Sequence, residues 1–560
     1  MPTRQRVYRM KKNDIYEITI DDIGNDGEGI GHILEDNVTG SFCDGENDGR
    51  GVAVFVKDTA LGDVAKIRIT KVKKNYAYGR LEELIKPSPV RVEPICPNAK
   101  RCGGCSLMHI GYDKQLEYKF NKVKNCLERL GGVENAERYM EKICGMDIPY
   151  HYRNKMQFPV GIDRDGRVQI GFYAGRTHSI IDLDRCYIGH PVNDYLVGEL
   201  HGWLERWQKK TGRFIYDEEK HTGLVRHILT RVGFVTGELM VCIIVNGDSL
   251  AVQKTSNKNK SGGNISVDEE AVNKELIECL NRAVDAYNRA IGNEPNGKND
   301  LQTVSAVSEE KGSKNRCETS VLRINLTSVS ININKEKTNR ILGNRCVTLY
   351  GNDYITDYIG DIRFNISPMS FYQVNPVQTK VLYDKAVEFA GLTGDEVVWD
   401  MYCGIGTISL CLAKKAKKVY GVEIVPQAIE DAKENASINN LTNTEFFCGK
   451  AEEVVPAFYN GTLEAAASGE TGQADIVDGC HPDVVVVDPP RKGCDSTLLD
   501  TIHQMAPKRL VYVSCDPATL ARDIKILTEK GFALEKVCVV DQFGHSTHVE
   551  TVALITRKDK

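Results

Sequence analysis

"EVVWDMYCGIGTISL", residues 396–410, sets an apolar run against a glycine-bearing turn and then a second apolar stretch. It reads as a buried strand ending at Asp400, a tight turn through Gly404 and Gly406, and the start of a helix. Small residues at such a turn let a ligand approach the backbone near a helix N-terminus. Outward from it the chain alternates helix and strand. Helix "VQTKVLYDKAVEFAG" (377–391) precedes it; "KKVYGVEIV" (417–425), "PQAIEDAKENASINN" (426–440), "DVVVVDPPRKG" (483–493) and "RLVYVSCDPATL" (509–520) come after it. A terminal strand pair, "FALEKVCVVDQF" and "HVETVALITR", closes the pattern. This rhythm is that of a Rossmann-like, doubly wound α/β domain, which binds ligands beyond the carboxyl ends of its strands.

Three acidic residues stand at those ends: Asp400, Glu423 and Asp488. Glu423, closing the second strand, is placed to accept both hydroxyls of a ribose. A dinucleotide enzyme would satisfy part of this pattern, but the third glycine of G-x-G-x-x-G is missing, since position 409 is Ser. Asp400, Glu423 and the Asp488-Pro489-Pro490 turn together favour S-adenosylmethionine over NAD. The all-valine run 484–487 suits a strand covered on both faces, and Asp488 at its end is placed to orient a planar base.

"VYVSCDPATLARD" (511–523) puts Cys515 at the mouth of another strand, where α/β enzymes hold reacting groups. A position before a helix start is expected to favour its thiolate. Together with "SFYQVN" (370–375), "DMYCGIGT", "GVE", "DPPRKG" and "HVET", this stretch resembles the RNA (uracil-5-)-methyltransferases, and the N-terminal features resemble their bacterial 23S rRNA branch. The resemblance spans nearly the whole chain outside two polar insertions. It implies that Cys515 is the nucleophile and Glu550, in "GHSTHVET", the proton-abstracting base. It carries the cofactor positions over to Gln373, Tyr402, Glu423 and Asp488, and puts Phe371 and Gln373 near the target base. Thr407 departs from relatives that have Asn there. His545 and His548 are the rival candidates for the base.

Nearer the N-terminus, residues 8–86 read as short strands with glycine-rich turns, a small OB-like barrel. Basic segments Arg4–Lys12 and Lys66–Arg80, the second holding Tyr76 and Tyr78, suit RNA contact, and the resemblance names the barrel a TRAM domain. Pro87, Pro89, Pro94 and Pro97 mark a linker. "ICPNAKRCGGCSLMH" (95–109) spaces Cys96, Cys102 and Cys105 as C-x5-C-x2-C, which suits zinc or an iron–sulfur centre. The resemblance supplies Cys186 as the fourth ligand and implies a [4Fe–4S] cluster. Residues 253–320 read as a polar excursion bracketing one helical piece, "EAVNKELIECLNRAVDAYNRAI", and 460–482 as a lengthened loop.

The expected organisation is a barrel over 1–87, an α+β central domain over 88–370 carrying the cysteines, and the methyltransferase domain over 371–560. In 560 residues, a net charge of −5 neither requires nor excludes nucleic acid. Eighteen cysteines without a secretory signal argue for reduced thiols, metal ligands or catalysis in the cytoplasm. No apolar run is long enough for a membrane span, and no obligate protein partner is expected. The expected reaction is methylation of uracil C5 in 23S rRNA. A tRNA methyltransferase and a noncatalytic RNA-binding assembly factor are the competing readings.

Overall fold

The computed structural model describes residues 10–33, 51–175, 177–251, 268–292, 322–459 and 482–558. The N-terminal strands β1 (Ile15–Ile23), β2 (Gly29–Ile33), β3 (Val52–Val56), β4 (Val64–Val72) and β5 (Tyr76–Lys86) close a barrel in the order β1-β2-β3-β5-β4. Alternation puts Ile18, Ile20, Val54, Val56, Ile67 and Ile69 inside it. The basic segment 66–80 forms most of the β4–β5 ribbon, where Phe55, Tyr76 and Tyr78 meet with ring centroids 5.5–5.9 Å apart. Residues 4–9 of the first basic segment lie outside the described residues.

The proline-bearing stretch after β5 is docked rather than a free linker. Asp63, fully buried, accepts from the backbone amides of Ala60 (2.6 Å) and Ser88 (2.9 Å) and pairs with Arg91 at 2.7 Å. Burial would raise its pKa, yet the Arg91 guanidinium and the two amides hold it below the usual carboxylate range. This one carboxylate therefore fastens the barrel to the proline-bearing stretch.

α1 (Tyr112–Arg129) packs on the C-terminal domain, its Val123 and Leu127 joining the same core as Leu520 and Ile524. A seven-stranded sheet comes next, built from β6 (Lys155–Ile162), β7 (Val168–Tyr173), β8 (Ile180–Asp182), β9 (Val225–Val232), β10 (Glu238–Val245), β11 (Asn325–Ile333) and β12 (Arg345–Gly351). Its order is β12-β11-β10-β9-β6-β7-β8, and α2 (Val192–Thr211) and α3 (Glu269–Gly292) bury their apolar faces in its core. α3 is the helical piece read as part of a polar excursion. It is instead structural: β10 and β11 pair in parallel, and a parallel pair needs a crossover, which α3 supplies while burying Val272, Leu276, Leu280 and Tyr287. Residues 252–267, 293–321 and 460–481, where the polar stretches fall, lie outside the described residues.

A hairpin of β13 (Ile355–Ile359) and β14 (Ile362–Ile366) leads to the last domain. There α4 (Pro376–Ala390), β15 (Val397–Asp400), α5 (Thr407–Ala413), β16 (Lys418–Glu423), α6 (Pro426–Ile438), β17 (Thr444–Cys448) and α7 (Ala451–Tyr459) alternate. β18 (Val484–Val487), α8 (Ser496–Met505), β19 (Arg509–Ser514), α9 (Pro517–Glu529), β20 (Phe532–Val540) and β21 (Glu550–Arg557) complete it. The strand order is β17-β16-β15-β18-β19-β21-β20, parallel except at β21. The expected doubly wound domain is thus observed, with its order reversing between β15 and β18. Among the described residues no helix is long and apolar enough to cross a membrane.

Candidate active site

Every carboxyl end of the parallel strands reaches one rim of this sheet, and β21 adds its first residue there because it runs the other way. Ser514, last in β19, pairs with Thr551. Cys515, one residue beyond, therefore stands across from Glu550, the opening residue of β21. Asp488 comes directly after β18 on the other side of β19, and Asp400 ends β15 beyond it. Strand register alone brings these four side chains to the switch point where such sheets bind ligands.

Their electrostatics depart from the low-pKa thiolate that a helix start suggests for Cys515. The Cys515 thiol is pushed up to about 11 by burial, with Glu550 and Asp488 adding to the rise and Arg491 opposing it. The expected thiolate is corrected here. The amides at the start of α9 are already taken by Asp516, whose side chain accepts from Ala518 (2.9 Å) and Thr519 (3.2 Å). Burial also raises Glu550 well above the carboxylate range, with Asp488 adding to it. Asp488 itself is raised to about 7 by burial and by Asp400, and Asp400 to about 6 by burial. A row of like charges in a poorly solvated rim cannot all ionise at neutral pH. Arg491, in the "DPPRKG" turn, is the cation that counters this at Cys515 and Glu550; the motif alone assigns it no role.

The adjoining turn is open. Gly404 (φ +55) has free space where a side chain would begin, and its amide donates to Glu423 at 3.3 Å. The other Glu423 oxygen accepts from Val425 at 3.0 Å. Ile424 and Val425 are 58% and 49% exposed, an apolar shelf beside that carboxylate. Ser409, standing where the third glycine would be, donates to Asp400 at 2.6 Å and leaves Asp400 Oδ1 unpartnered. Tyr402 is half-buried between β15 and α5, and Thr407 begins α5, its hydroxyl 3.0 Å from that of Tyr383. A carboxylate pair, an open glycine turn and an apolar shelf fit a nucleoside with a charged tail.

Two loops close over this rim. Residues 367–375 are pinned from the central sheet: Asn154 donates its amide to Val374 O at 2.8 Å and its side chain to Gln373 O at 3.0 Å. Asn375 caps α4 and also donates to Gln542 O at 3.1 Å, while Gln542 donates to Thr379 at 2.8 Å. Loop 541–549 is thereby joined to the loop bearing Gln373, on which Phe371 is 69% exposed. From the other side Lys119 of α1, with no exposed surface, pairs with Asp541 at 2.5 Å and donates to Phe543 O at 2.8 Å. His545 is fixed in this loop. Its amide donates to Gln115 at 3.0 Å, and burial lowers its pKa to about 4. His548 is likewise lowered by burial, while it is Glu550 that the β19–β21 register sets across from Cys515.

Residues 9–81 match the TRAM domain model, and residues 326–558 match the model described as tRNA (Uracil-5-)-methyltransferase. An uncharacterized RNA methyltransferase of Clostridium acetobutylicum is 42% identical over 99% of this chain and 100% of its own. Another, from Halalkalibacterium halodurans, is 41% identical over 98% of each chain. The chain belongs to the RNA (uracil-5-)-methyltransferase family. The fold of the crystallised Pyrococcus abyssi tRNA (uracil-54, C5)-methyltransferase, bound to S-adenosyl-L-homocysteine, is similar, with TM-score 0.61 at 24% identity. That likeness covers 97% of this chain and all of the other.

In this family member the four N-terminal cysteines come from distant segments. Cys96, Cys102 and Cys105 lie in the turn-rich stretch before α1, where Cys102 bridges to Ala174 beyond β7, and Cys186 lies before α2. The thiols share a neighbourhood, since Cys105 is raised by burial and then by Cys186, Cys102 and Cys96. Among the described residues, no three His, Cys, Asp or Glu groups close around one point tightly enough to hold a single ion.

Proposed function

We propose that this protein transfers a methyl group from S-adenosylmethionine to C5 of a uridine in 23S rRNA, through a covalent Cys515–C6 adduct. The observation carrying this reading is the register that sets Cys515 opposite Glu550, beside Asp488, at the switch point of the sheet. S-adenosylmethionine, when bound, supplies an electrophilic methyl. Uracil C5 is too weak a nucleophile to take it unaided. Addition of the Cys515 thiolate to C6 moves electron density to C5, which takes the methyl as the methyl–sulfur bond breaks and the sulfonium leaves as a neutral thioether. Glu550 removes the C5 proton, the C5=C6 bond reforms, and Cys515 leaves as thiolate. Gln373, Tyr402, Glu423 and Asp488 are assigned to the cofactor, with Asp488 also facing the base and Phe371 stacking against RNA.

For the base to reach both groups its uridine must leave any stack, and the 69%-exposed Phe371 offers a surface to fill the gap. The rRNA assignment rests on the resemblance of the N-terminal segments to the 23S rRNA branch; the tRNA enzyme's similar fold over 97% of this chain makes tRNA the competing substrate. Methylation assays with labelled cofactor on 23S rRNA and on tRNA from a strain lacking the enzyme test it. Label in rRNA at uracil C5 is expected, and label confined to tRNA overturns the substrate assignment.

Cys96, Cys102, Cys105 and Cys186 are assigned to a [4Fe–4S] cluster. Four thiolates suit an iron–sulfur core or a single zinc, and the resemblance of the N-terminal segments favours the cluster. No step of methyl transfer needs an electron, so its role is to hold this segment and the RNA. Anaerobic purification should give iron and sulfide in equal amounts; stoichiometric zinc without sulfide would contradict it.

A further inference from the structure

Met156 and Phe158 of β6 enter the core shared with α2 and α3, so alternation turns Lys155 to the other face of the central sheet. Its partner in register there is Arg231 of β9. Arg231 is 2% exposed, and its guanidinium donates to Ser370 O at 2.5 Å, at the root of the turn that carries Phe371 and Gln373. Asn154, the residue before Lys155, holds the same turn at Gln373 O and Val374 O. Two cations thus stand directly opposite each other under one active-site loop, an arrangement that is destabilising by itself. Among the described residues neither has a carboxylate partner. Burial, Arg231 and Arg153 lower Lys155 to about 7, with no acidic group opposing them. Burial lowers Arg231 to about 10, which leaves it charged at neutral pH. Asp431, the carboxylate that meets this turn, is taken by the Ser370 hydroxyl at 2.9 Å and the Gln427 side chain at 3.0 Å. Arg153 is shared with the cysteine segment, where it offsets part of the rise at Cys105. Lys155 differs from Arg231 in keeping part of its surface in solvent, so an incoming anion can reach its ammonium.

We propose that Lys155 holds a backbone phosphate of the substrate RNA beside the target uridine, a positioning role that rests on the RNA-methyltransferase reading. A phosphodiester supplies what this face lacks, a negative charge, and a lysine ammonium binds it as a point charge. The unpartnered Nε and Nη1 of Arg231 are sealed from solvent, so Arg231 adds to the positive field behind Lys155 without touching the RNA. Phe371, exposed on the same turn, offers a ring to the bases while Lys155 takes the backbone, a pairing of stacking and charge that suits an unpaired strand. With its phosphate fixed at this turn, the uridine has a pivot about which to leave the stack.

The test is equilibrium binding of the intact protein to an rRNA fragment over a series of salt concentrations. Lys155→Gln should raise Kd about tenfold. It should also lower the slope of log Kd against log salt by about 0.7 to 0.9, the counterion release of one phosphate, and Lys155→Arg should restore both. Replacing the phosphates flanking the uridine one at a time by neutral methylphosphonate should weaken wild-type binding about tenfold at one linkage. The same replacement should leave binding by Lys155→Gln unchanged. Unaltered Kd and slope in Lys155→Gln would overturn the proposal. So would a loss of S-adenosylmethionine affinity with RNA binding intact, which would give the lysine to the cofactor carboxylate. Because Lys155 has no partner to lose, Lys155→Gln should unfold at the wild-type temperature or above; a lower one would make the lysine a support of the fold and overturn its RNA role. Binding is read without turnover, so a loss of slope in a protein that methylates no RNA would count against the catalytic reading and leave the phosphate contact standing.

Discussion

At the scale of the residue, Cys515, the proposed nucleophile, is held toward the thiol form by burial and by its acidic neighbours. With the thiol raised to about 11, the thiolate fraction climbs about tenfold per pH unit through neutrality. Ionisation of Glu550, raised by burial and Asp488, moves in the same direction. The rate of adduct formation should therefore rise steadily from pH 6 to 9 in stopped-flow or quench measurements; a flat profile would show that the free-site electrostatics do not govern it. Arg491 opposes the rise at both groups, so Arg491→Ala should lower the neutral-pH rate about tenfold, one pKa unit's worth, and shift the profile to higher pH. Glu550→Gln should still form the adduct and transfer the methyl, but fail to release product. A denaturing gel would then show protein–RNA complex with natural RNA, whereas rapid turnover would remove Glu550 from the base role.

At the scale of the element, α1 acts as a clamp on the loop leading into Glu550. Lys119 and Asp541 are both wholly buried, and removing one partner leaves an uncompensated charge. Lys119→Met is expected to cost roughly 3–5 kcal/mol in urea unfolding, and a loss below about 1 kcal/mol would mean the pair is not formed in solution. This clamp is not legible in the sequence, because its partners are more than four hundred residues apart in the chain. The motif residues are legible for the opposite reason: each catalytic or cofactor candidate sits in a short contiguous motif at the junction of a loop with a strand or helix. α3 reads as part of an excursion because its flanks are polar, although its own apolar spacing already carries the face that buries Leu276 and Leu280. The Cys515 pKa goes the other way from expectation because burial raises it, and Glu550 and Asp488, brought in from β21 and from the turn after β18, add to the rise.

At the scale of the whole molecule, the buried Asp63 carboxylate ties the RNA-binding barrel to the segment that follows it, alongside the bonds that Tyr118 and Lys122 of α1 donate to Gly24 O and Asn25 O. Asp63→Asn weakens its ion pair with Arg91 while keeping its shape. The expected result is a KM for long RNA raised several-fold with kcat on a short uridine-bearing oligonucleotide unchanged; equal losses on both would mean that the barrel supports the catalytic fold itself. The central claim, that register across β19 and β21 builds a covalent uracil methylation site, is tested most directly by trapping. The protein is mixed with S-adenosylmethionine and an rRNA fragment containing 5-fluorouridine, with Cys515→Ala alongside. Fluorine at C5 cannot leave as a proton, so the adduct should stall after methyl transfer and give a cofactor-dependent band that the variant lacks. No band, with methylated product still formed from natural RNA, would contradict the covalent role of Cys515.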